Sequence, residues 1–190
     1  FSAIQKIAFS SYENGLKMGE VRSDLEMDIM KKFVLSDYIK DNKIVLSSRA
    51  EMYRLSVLLA YYYMIKDEKN MLLLSEKLTD HYRLNPTLIE YSTMGYIFSI
   101  SSHIRALIQN EKIEKAWAQI EVLENLENEL NINNSINLQA RVFIYSLNLR
   151  MELYMLYKDY DKCANWIDDK KNELAKYENF ISKPFLYECY

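Results

Sequence analysis

Apolar residues recur every three to four positions along most of the chain, which is the spacing of amphipathic helices. The helical stretches are long, and only short polar segments separate them. Asn85 before Pro86 is typical of a helix start, because asparagine caps a first turn and proline fits the first helical position. The pattern predicts helices over about 1–14, 23–40, 46–65, 69–83, 86–108, 113–130, 136–157, 162–177 and 183–190.

The polar corners between helices indicate an internal repeat. Corners begin at Lys66, Gln109 and Lys158, in steps of 43 and 49 residues that each cover one helical hairpin. A hairpin of this kind buries its apolar face only by stacking on a neighbour, so several would form a solenoid with one concave and one convex face. An up-and-down bundle without a repeat is the alternative, because the N-terminal third does not keep the period.

The composition agrees with a helical protein and excludes other classes. The chain of 190 residues has 3 glycines and 2 prolines, far fewer turn residues than a β-sandwich or barrel requires. A net charge of −3 argues against direct binding to nucleic acid. No apolar run of about 18 residues is present, so no membrane insertion is expected.

Cysteine usage indicates a reducing compartment. Cys163 and Cys189 both lie in apolar helical sequence, where single thiols are ordinary core residues, and a disulfide is not expected. We therefore expect a cytoplasmic protein. Since the chain starts at Phe1, a signal peptide or a further domain upstream stays open.

The search for catalytic chemistry finds no motif. His81 and His103 lie on different predicted helices, and neither has a partner at the spacing of a zinc site, so each is expected to be a partly exposed polar residue. The three glycines match no phosphate-binding loop. We expect no enzymatic activity, no metal and no cofactor.

Two segments carry a family resemblance. KDYDKCANWI (158–167) and EKIEKAWAQI (111–120) resemble the corner of tetratricopeptide (TPR) repeats, with Lys158 in place of the usual glycine and Cys163 in place of alanine. Residues 45–190 are also similar to uncharacterised bacterial, Bacteroidetes-type, TPR-like proteins. The resemblance implies an all-α fold in which antiparallel helix pairs stack as a right-handed superhelix, and a binding scaffold without catalysis.

The predicted organisation has two parts. Residues 1–44 would form irregular N-terminal helices or a degenerate repeat, and residues 45–190 would form TPR-like hairpins. The hairpins would span about 45–84, 85–131 and 134–178, followed by a truncated helix over 183–190. Because that last helix lacks its partner, its apolar end could mediate self-association.

The concave face supplies the candidate binding residues. Setting the three corners in register aligns polar and aromatic positions spaced 4, 3 and 4 along the first helix of each hairpin, with a tyrosine recurring at the second place. Aromatic and guanidinium groups are typical of peptide-binding surfaces. The residues predicted to bind are Arg49, Tyr53, Tyr96, Ser99, His103, Arg141, Tyr145, Asn148 and Glu152.

The predicted function is a non-enzymatic scaffold that binds a protein or peptide segment on this concave face. The alternative is an effector-sensing and dimerisation domain of a regulator, whose DNA-binding or catalytic module would lie outside this chain. A chance alignment is the simplest competing explanation for the tyrosines, because the chain contains 16 of them.

Overall fold

The computed structural model describes residues 24–36, 39, 47–130 and 132–180. Every regular element within these ranges is a helix, which confirms the all-α class. Outside these ranges lie the helices predicted over 1–14 and 183–190, the C-terminal helix end predicted to self-associate, and Cys189. The α-helices are α1 (Asp24–Val34), α2 (Ser48–Met64), α3 (Glu68–Leu84), α4 (Pro86–Tyr91), α5 (Thr93–Gln109), α6 (Ile113–Glu129), α7 (Ile136–Leu156), α8 (Tyr160–Asp169) and α9 (Lys171–Lys176).

Two predicted helices are each divided in the structure. The helix expected over 86–108 is interrupted at Ser92, whose backbone is not helical (φ −147°, ψ 69°), and this separates α4 from α5. The interruption places Ser92 and Gly95 against the hydroxyl of Tyr82 on α3, and a Cβ added at Gly95 would lie 2.3 Å from that oxygen. Only glycine allows this close approach. The last return helix is likewise divided, between α8 and α9 at Lys170.

Side-chain caps explain why several helices begin where they do. Ser47 and Ser135 accept hydrogen bonds from the amides of Ala50 (3.2 Å) and Leu138 (3.4 Å), and these bonds satisfy amides of the first turns of α2 and α7. Asn85 precedes α4 as predicted, with Pro86 in the first turn, yet its side chain does not cap the helix. Its Nδ2 instead donates to the carbonyl of His81 at 2.8 Å.

Each of the three corners contains one residue with a left-handed backbone conformation. The φ angles are 56° at Lys66, 57° at Glu111 and 57° at Lys158. At Lys66 the amide donates to Tyr63 O (3.2 Å) and the next amide donates to Tyr62 O (3.0 Å), the two bonds of a Schellman motif. Lys158 thus has a left-handed conformation that glycine adopts more readily than other residues. The equivalent corner positions are 45 and 47 residues apart, rather than the predicted 43 and 49.

The chain divides into two compact units, Phe1–Asn110 and Glu111–Tyr190, which we call the first and second units. In the first unit α3 packs against both α2 and α5, while α1 packs against α2. In the second unit α7 packs against both α6 and α8. A central helix with one neighbour on either side is therefore common to both units. The right-handed TPR-like superhelix stays a prediction.

The contact between α3 and α5 in the first unit contains many buried polar side chains. Ser75 hydrogen-bonds His103 Nδ1 at 3.2 Å, and Thr79 donates to Ser99 Oγ at 3.4 Å. Burial raises the pKa of Tyr82, on the same face of α3, to about 12. These polar atoms satisfy one another, and they lie among buried apolar side chains such as Leu78 and Ile100.

One buried cluster of the second unit lies between α7 and the segment around α9. Phe143 and Tyr177 pack with ring centroids 5.1 Å apart. Gln139 of α7 holds the preceding turn, because its side-chain amide nitrogen Nε2 donates to the carbonyl of Asn133 at 2.8 Å. The buried cluster is Ala140, Phe143, Leu147, Leu174 and Tyr177.

Within the described ranges, no helix is both long enough and apolar enough to cross a membrane.

Candidate functional site

Arg49 and Tyr53, predicted to bind, lie together at the start of α2. The Arg49 guanidinium lies 4.0 Å from the ring centroid of Tyr91, and the hydroxyl of Tyr53 lies 2.9 Å from that of Tyr91. This hydrogen bond raises the pKa of Tyr53, with a smaller contribution from burial. The two predicted residues therefore belong to a surface cluster completed by Tyr91, which the sequence analysis did not select.

Tyr96, Ser99 and His103 do not lie on an open surface. They are 5%, 0% and 8% exposed, and all three face α3 inside the first unit. The expectation that His103 be partly exposed is wrong, and burial also keeps Tyr96 and Ser99 from an open binding face. The cause is the register: with corner steps of 45 and 47, the positions equivalent to Tyr53 are Phe98 and Tyr145, whose side chains are both half-buried.

The remaining predicted residues lie on α7 in the second unit. Arg141 is exposed, and Tyr145, Asn148 and Glu152 are half-buried. With 3.6 residues per turn, these four lie on the side of α7 opposite to Ser146 and Arg150. The structure therefore divides the residues predicted to bind among a surface cluster, a buried contact and one face of α7. Whether the exposed members bind a partner stays a prediction.

A cavity of about 510 Å³ opens on the other face of α7. This volume falls within the range of sites that hold small ligands or side chains of a bound segment. Helices α6 to α9 all contribute to its wall, and aromatic, aliphatic and charged side chains alternate there. The lining residues are Glu124, Glu127, Val142, Phe143, Ser146, Leu147, Arg150, Trp166, Lys170, Glu173, Lys176 and Tyr177.

Arg150 is fixed within this cavity by one carboxylate and two indole rings. Its Nε and Nη2 donate to the two carboxylate oxygens of Glu124 at 2.6 and 2.7 Å. Its guanidinium carbon lies 5.3 Å from the Trp117 ring and 5.6 Å from the Trp166 ring. The hydrogen bonds to Glu124 raise the pKa of Arg150, so its charge is permanent. These contacts give the cavity a rigid wall before any ligand is bound.

Ser146 is a buried polar side chain without a hydrogen-bond partner. It is 5% exposed, and within the part of the chain that the structure describes its Oγ is the single buried side-chain nitrogen or oxygen lacking a hydrogen bond. A serine on a helix can usually donate to a carbonyl of the preceding turn. Rotation about χ1 changes the direction of the hydroxyl, so a ligand in the cavity could supply the missing partner.

This cavity was not predicted, because the recurring tyrosines indicated a binding site on the opposite face of α7. The detectable signal was Ser146 and Arg150 on the face of α7 that also carries Val142, Phe143 and Leu147. Polar residues inside an otherwise apolar helical stripe indicate either a buried hydrogen bond or a site. Which of the two applies depends on the neighbouring helices.

The described ranges contain no cluster of three or more histidine, cysteine or acidic side chains that could hold a metal ion. Cys163 is a buried core residue, and its burial raises the pKa of the thiol. His103 is buried rather than partly exposed as predicted, and it is hydrogen-bonded to Ser75. The cavity in the second unit is therefore the best supported candidate site.

In comparisons with known proteins, the chain matches no family model, no curated protein and no solved structure.

Proposed function

We propose that this chain is a non-enzymatic binding module for a protein or peptide segment, and that the segment is held in the cavity of the second unit. The notion of a binding scaffold comes from the helical-repeat pattern of the sequence. The proposed binding site lies on the face of α7 opposite to the predicted tyrosine, Tyr145, because the cavity and the unpartnered Ser146 lie on that face.

The observation that carries the proposal is Ser146. Leaving a buried hydroxyl without a hydrogen bond is unfavourable by about 1–3 kcal/mol, so such groups are rare inside proteins. A ligand that hydrogen-bonds this hydroxyl would remove that unfavourable term when it binds. The neighbouring Trp166 and Phe143 supply the aromatic surface that central residues of an interface pack against.

A segment of a protein fits this wall better than a small polar metabolite does. The wall contains both apolar and charged side chains, and a peptide offers both kinds of group along one chain. The indole of Trp166 is half-buried, and it is positioned by Arg150 before binding. Preorganised aromatic walls bind side chains with a smaller loss of conformational entropy.

The test is a selection of random short peptides, displayed on phage, against the full chain. The dissociation constants of the selected peptides are then measured by fluorescence anisotropy. Trp166→Ala should weaken binding by about 2 kcal/mol, roughly thirtyfold, because it removes a central aromatic contact. Ser146→Ala should weaken it three- to tenfold, about one hydrogen bond.

Trp117→Ala is the matched control. Trp117 also contacts Arg150, but it does not line the cavity, so its replacement should change peptide binding less than about twofold. The proposal fails if no peptide is selected, or if Trp117→Ala and Trp166→Ala weaken binding equally. Circular dichroism of each variant confirms that the helices are retained.

A further inference from the structure

The charged groups around the cavity form two closed ion pairs and leave two groups without one. The wall contains three acids and three bases. Arg150 is paired with Glu124 through both carboxylate oxygens. Lys170 Nζ lies 3.1 and 3.0 Å from the two carboxylate oxygens of Glu173. The remaining acid and base, Glu127 and Lys176, have no ion pair among the residues that the structure describes.

The two groups without an ion pair differ in their hydrogen bonds. Glu127 is half-buried, and its carboxylate accepts no hydrogen bond within the described ranges. The Lys176 ammonium donates to the hydroxyl of Tyr177 at 2.9 Å and to Gln139 Oε1 at 3.3 Å, both uncharged acceptors. The hydrogen bond to Tyr177 raises the pKa of Lys176, and the charge of Glu127 contributes in the same direction. Glu127 and Lys176 therefore face the same cavity, and neither forms an ion pair among the residues that the structure describes.

We propose that the segment bound in this cavity carries one basic and one acidic side chain on either side of an apolar residue. The basic group would pair with Glu127 and the acidic group with Lys176, while the apolar residue would pack on Phe143 and Trp166. This inference rests on the proposed function, and it adds the charge pattern of the partner.

Charge complementarity favours this ligand over a singly charged one. A cation placed against Glu127 is repelled by Lys176, and an anion placed against Lys176 is repelled by Glu127. A segment with both charges in the right order makes two attractive contacts and leaves the wall neutral. Charges arranged in this way mainly provide specificity, because segments with the reverse order meet like charges.

The experiment repeats the phage selection and compares the residues enriched with the wild-type chain and with two variants. Wild-type selection should enrich peptides that have a basic and an acidic residue at a constant spacing. Glu127→Gln should abolish the enrichment of the basic residue, and Lys176→Gln that of the acidic residue. Glutamine at 176 can still donate to Tyr177, so that local contact is retained.

Two exposed charges that do not line the cavity provide matched controls. Glu129→Gln on α6 and Lys171→Gln on α9 remove the same charges from the same helices. Both should leave the enriched pattern unchanged, and they should alter the dissociation constant of a selected peptide less than twofold. Glu127→Gln should weaken that peptide about tenfold, because Glu127 is half-buried. Lys176→Gln should weaken it about threefold, because Lys176 is exposed and water screens its charge.

The exchange of the two charges gives the sharpest result. In the double variant Glu127→Lys with Lys176→Glu, the order of basic and acidic residues in the selected peptides should reverse. The inference is overturned if peptides that require Trp166 show no charge pattern, or bind Glu127→Gln and Lys176→Gln as tightly as wild type. If instead no peptide requires Trp166, the proposed function fails and this inference fails with it.

Discussion

In the first unit, the helices α3 and α5 meet through polar side chains that hydrogen-bond one another. Ser75 is matched with His103, and Thr79 with Ser99, and the contact is closed. In the second unit, Ser146 of α7 is buried without a partner beside a cavity of about 510 Å³. Both units place a central helix between two neighbours, so the difference lies in whether the buried polar atoms are matched.

The comparison teaches how to separate a structural polar residue from a functional one in a helical protein. A matched polar contact raises the specificity of packing and is complete within the unit. An unmatched one lowers stability unless another molecule completes it. Four predictions test this distinction, beginning with the variants that should change stability most.

The largest expected effect is at Arg54 in the first unit. Its side chain is 9% exposed, forms two hydrogen bonds of 2.7 Å with Glu51 and donates to the Ile39 carbonyl. Arg54→Leu leaves these acceptors without a donor and should destabilise the chain by about 3 kcal/mol in urea unfolding.

The equivalent change in the second unit, Arg150→Leu, should destabilise by only about 1–2 kcal/mol, because the Arg150–Glu124 pair is 18% and 34% exposed and water can reach Glu124. Arg83→Leu is the surface control and should cost less than about 1 kcal/mol. An equal loss of stability in Arg54→Leu and Arg150→Leu would show that the exposure of the two ion pairs does not determine their contribution.

The close contact at Gly95 gives the second prediction. Gly95→Ala should destabilise by about 2 kcal/mol, because the new Cβ would lie 2.3 Å from the Tyr82 hydroxyl oxygen. At an open helical position the same change would stabilise by about 1 kcal/mol. Adding Tyr82→Phe removes the oxygen, so the double variant should recover part of the loss in a double-mutant cycle. Stabilisation by Gly95→Ala alone would mean that α3 and α5 are less tightly packed than the structure has them.

Two serines test the comparison most directly. Ser99→Ala removes the acceptor of Thr79 and should destabilise by about 1 kcal/mol. Ser146→Ala removes a hydroxyl that has no partner, and alanine favours helices, so stability should rise by about 0.5–1 kcal/mol. Urea unfolding of both variants gives the two signs. A loss at Ser146 as large as the loss at Ser99 would mean that its hydroxyl is matched after all.

The smallest effect concerns acid. The hydrogen bonds from Arg54 lower the pKa of Glu51 below its ordinary value of 4.5. A carboxyl with a lowered pKa in the folded state stabilises the protein above its unfolded pKa, and this contribution is lost as the pH falls through the folded pKa. Hydrogen exchange of segments 48–64 and 68–84 should therefore accelerate below pH 4.5, and Glu51→Gln should reduce that dependence. A pH dependence unchanged by Glu51→Gln would assign the acid sensitivity to another group.

Helix positions were the most predictable part of the fold. The alternation of apolar residues located α2, α3, α6 and α7 to within a few residues, because their apolar faces and polar corners are continuous in the sequence. The breaks at Ser92 and Lys170 were not predicted. At Ser92 the break depends on a contact with Tyr82, ten residues earlier on another helix, which no local pattern encodes.

The candidate site was less predictable for a similar reason. Tyr96, Ser99 and His103 are polar residues at helical spacing, and this spacing is compatible with an exposed face or with a matched buried contact. Only α3, which supplies Ser75 and Thr79, decides between the two. Ser146 would likewise look ordinary without knowledge that its hydroxyl makes no hydrogen bond. Matching of buried polar atoms is a property of pairs of helices.

The left-handed residues at the corners have a consequence for protein engineering. Lys66, Glu111 and Lys158 adopt a backbone conformation that disfavours any residue with a Cβ by about 1–2 kcal/mol, whereas glycine adopts it freely. The three positions are exposed and far apart in the sequence, so glycine substitutions should act independently. The chain thus contains a reserve of thermal stability that can be reached without altering the core or the cavity beside Ser146.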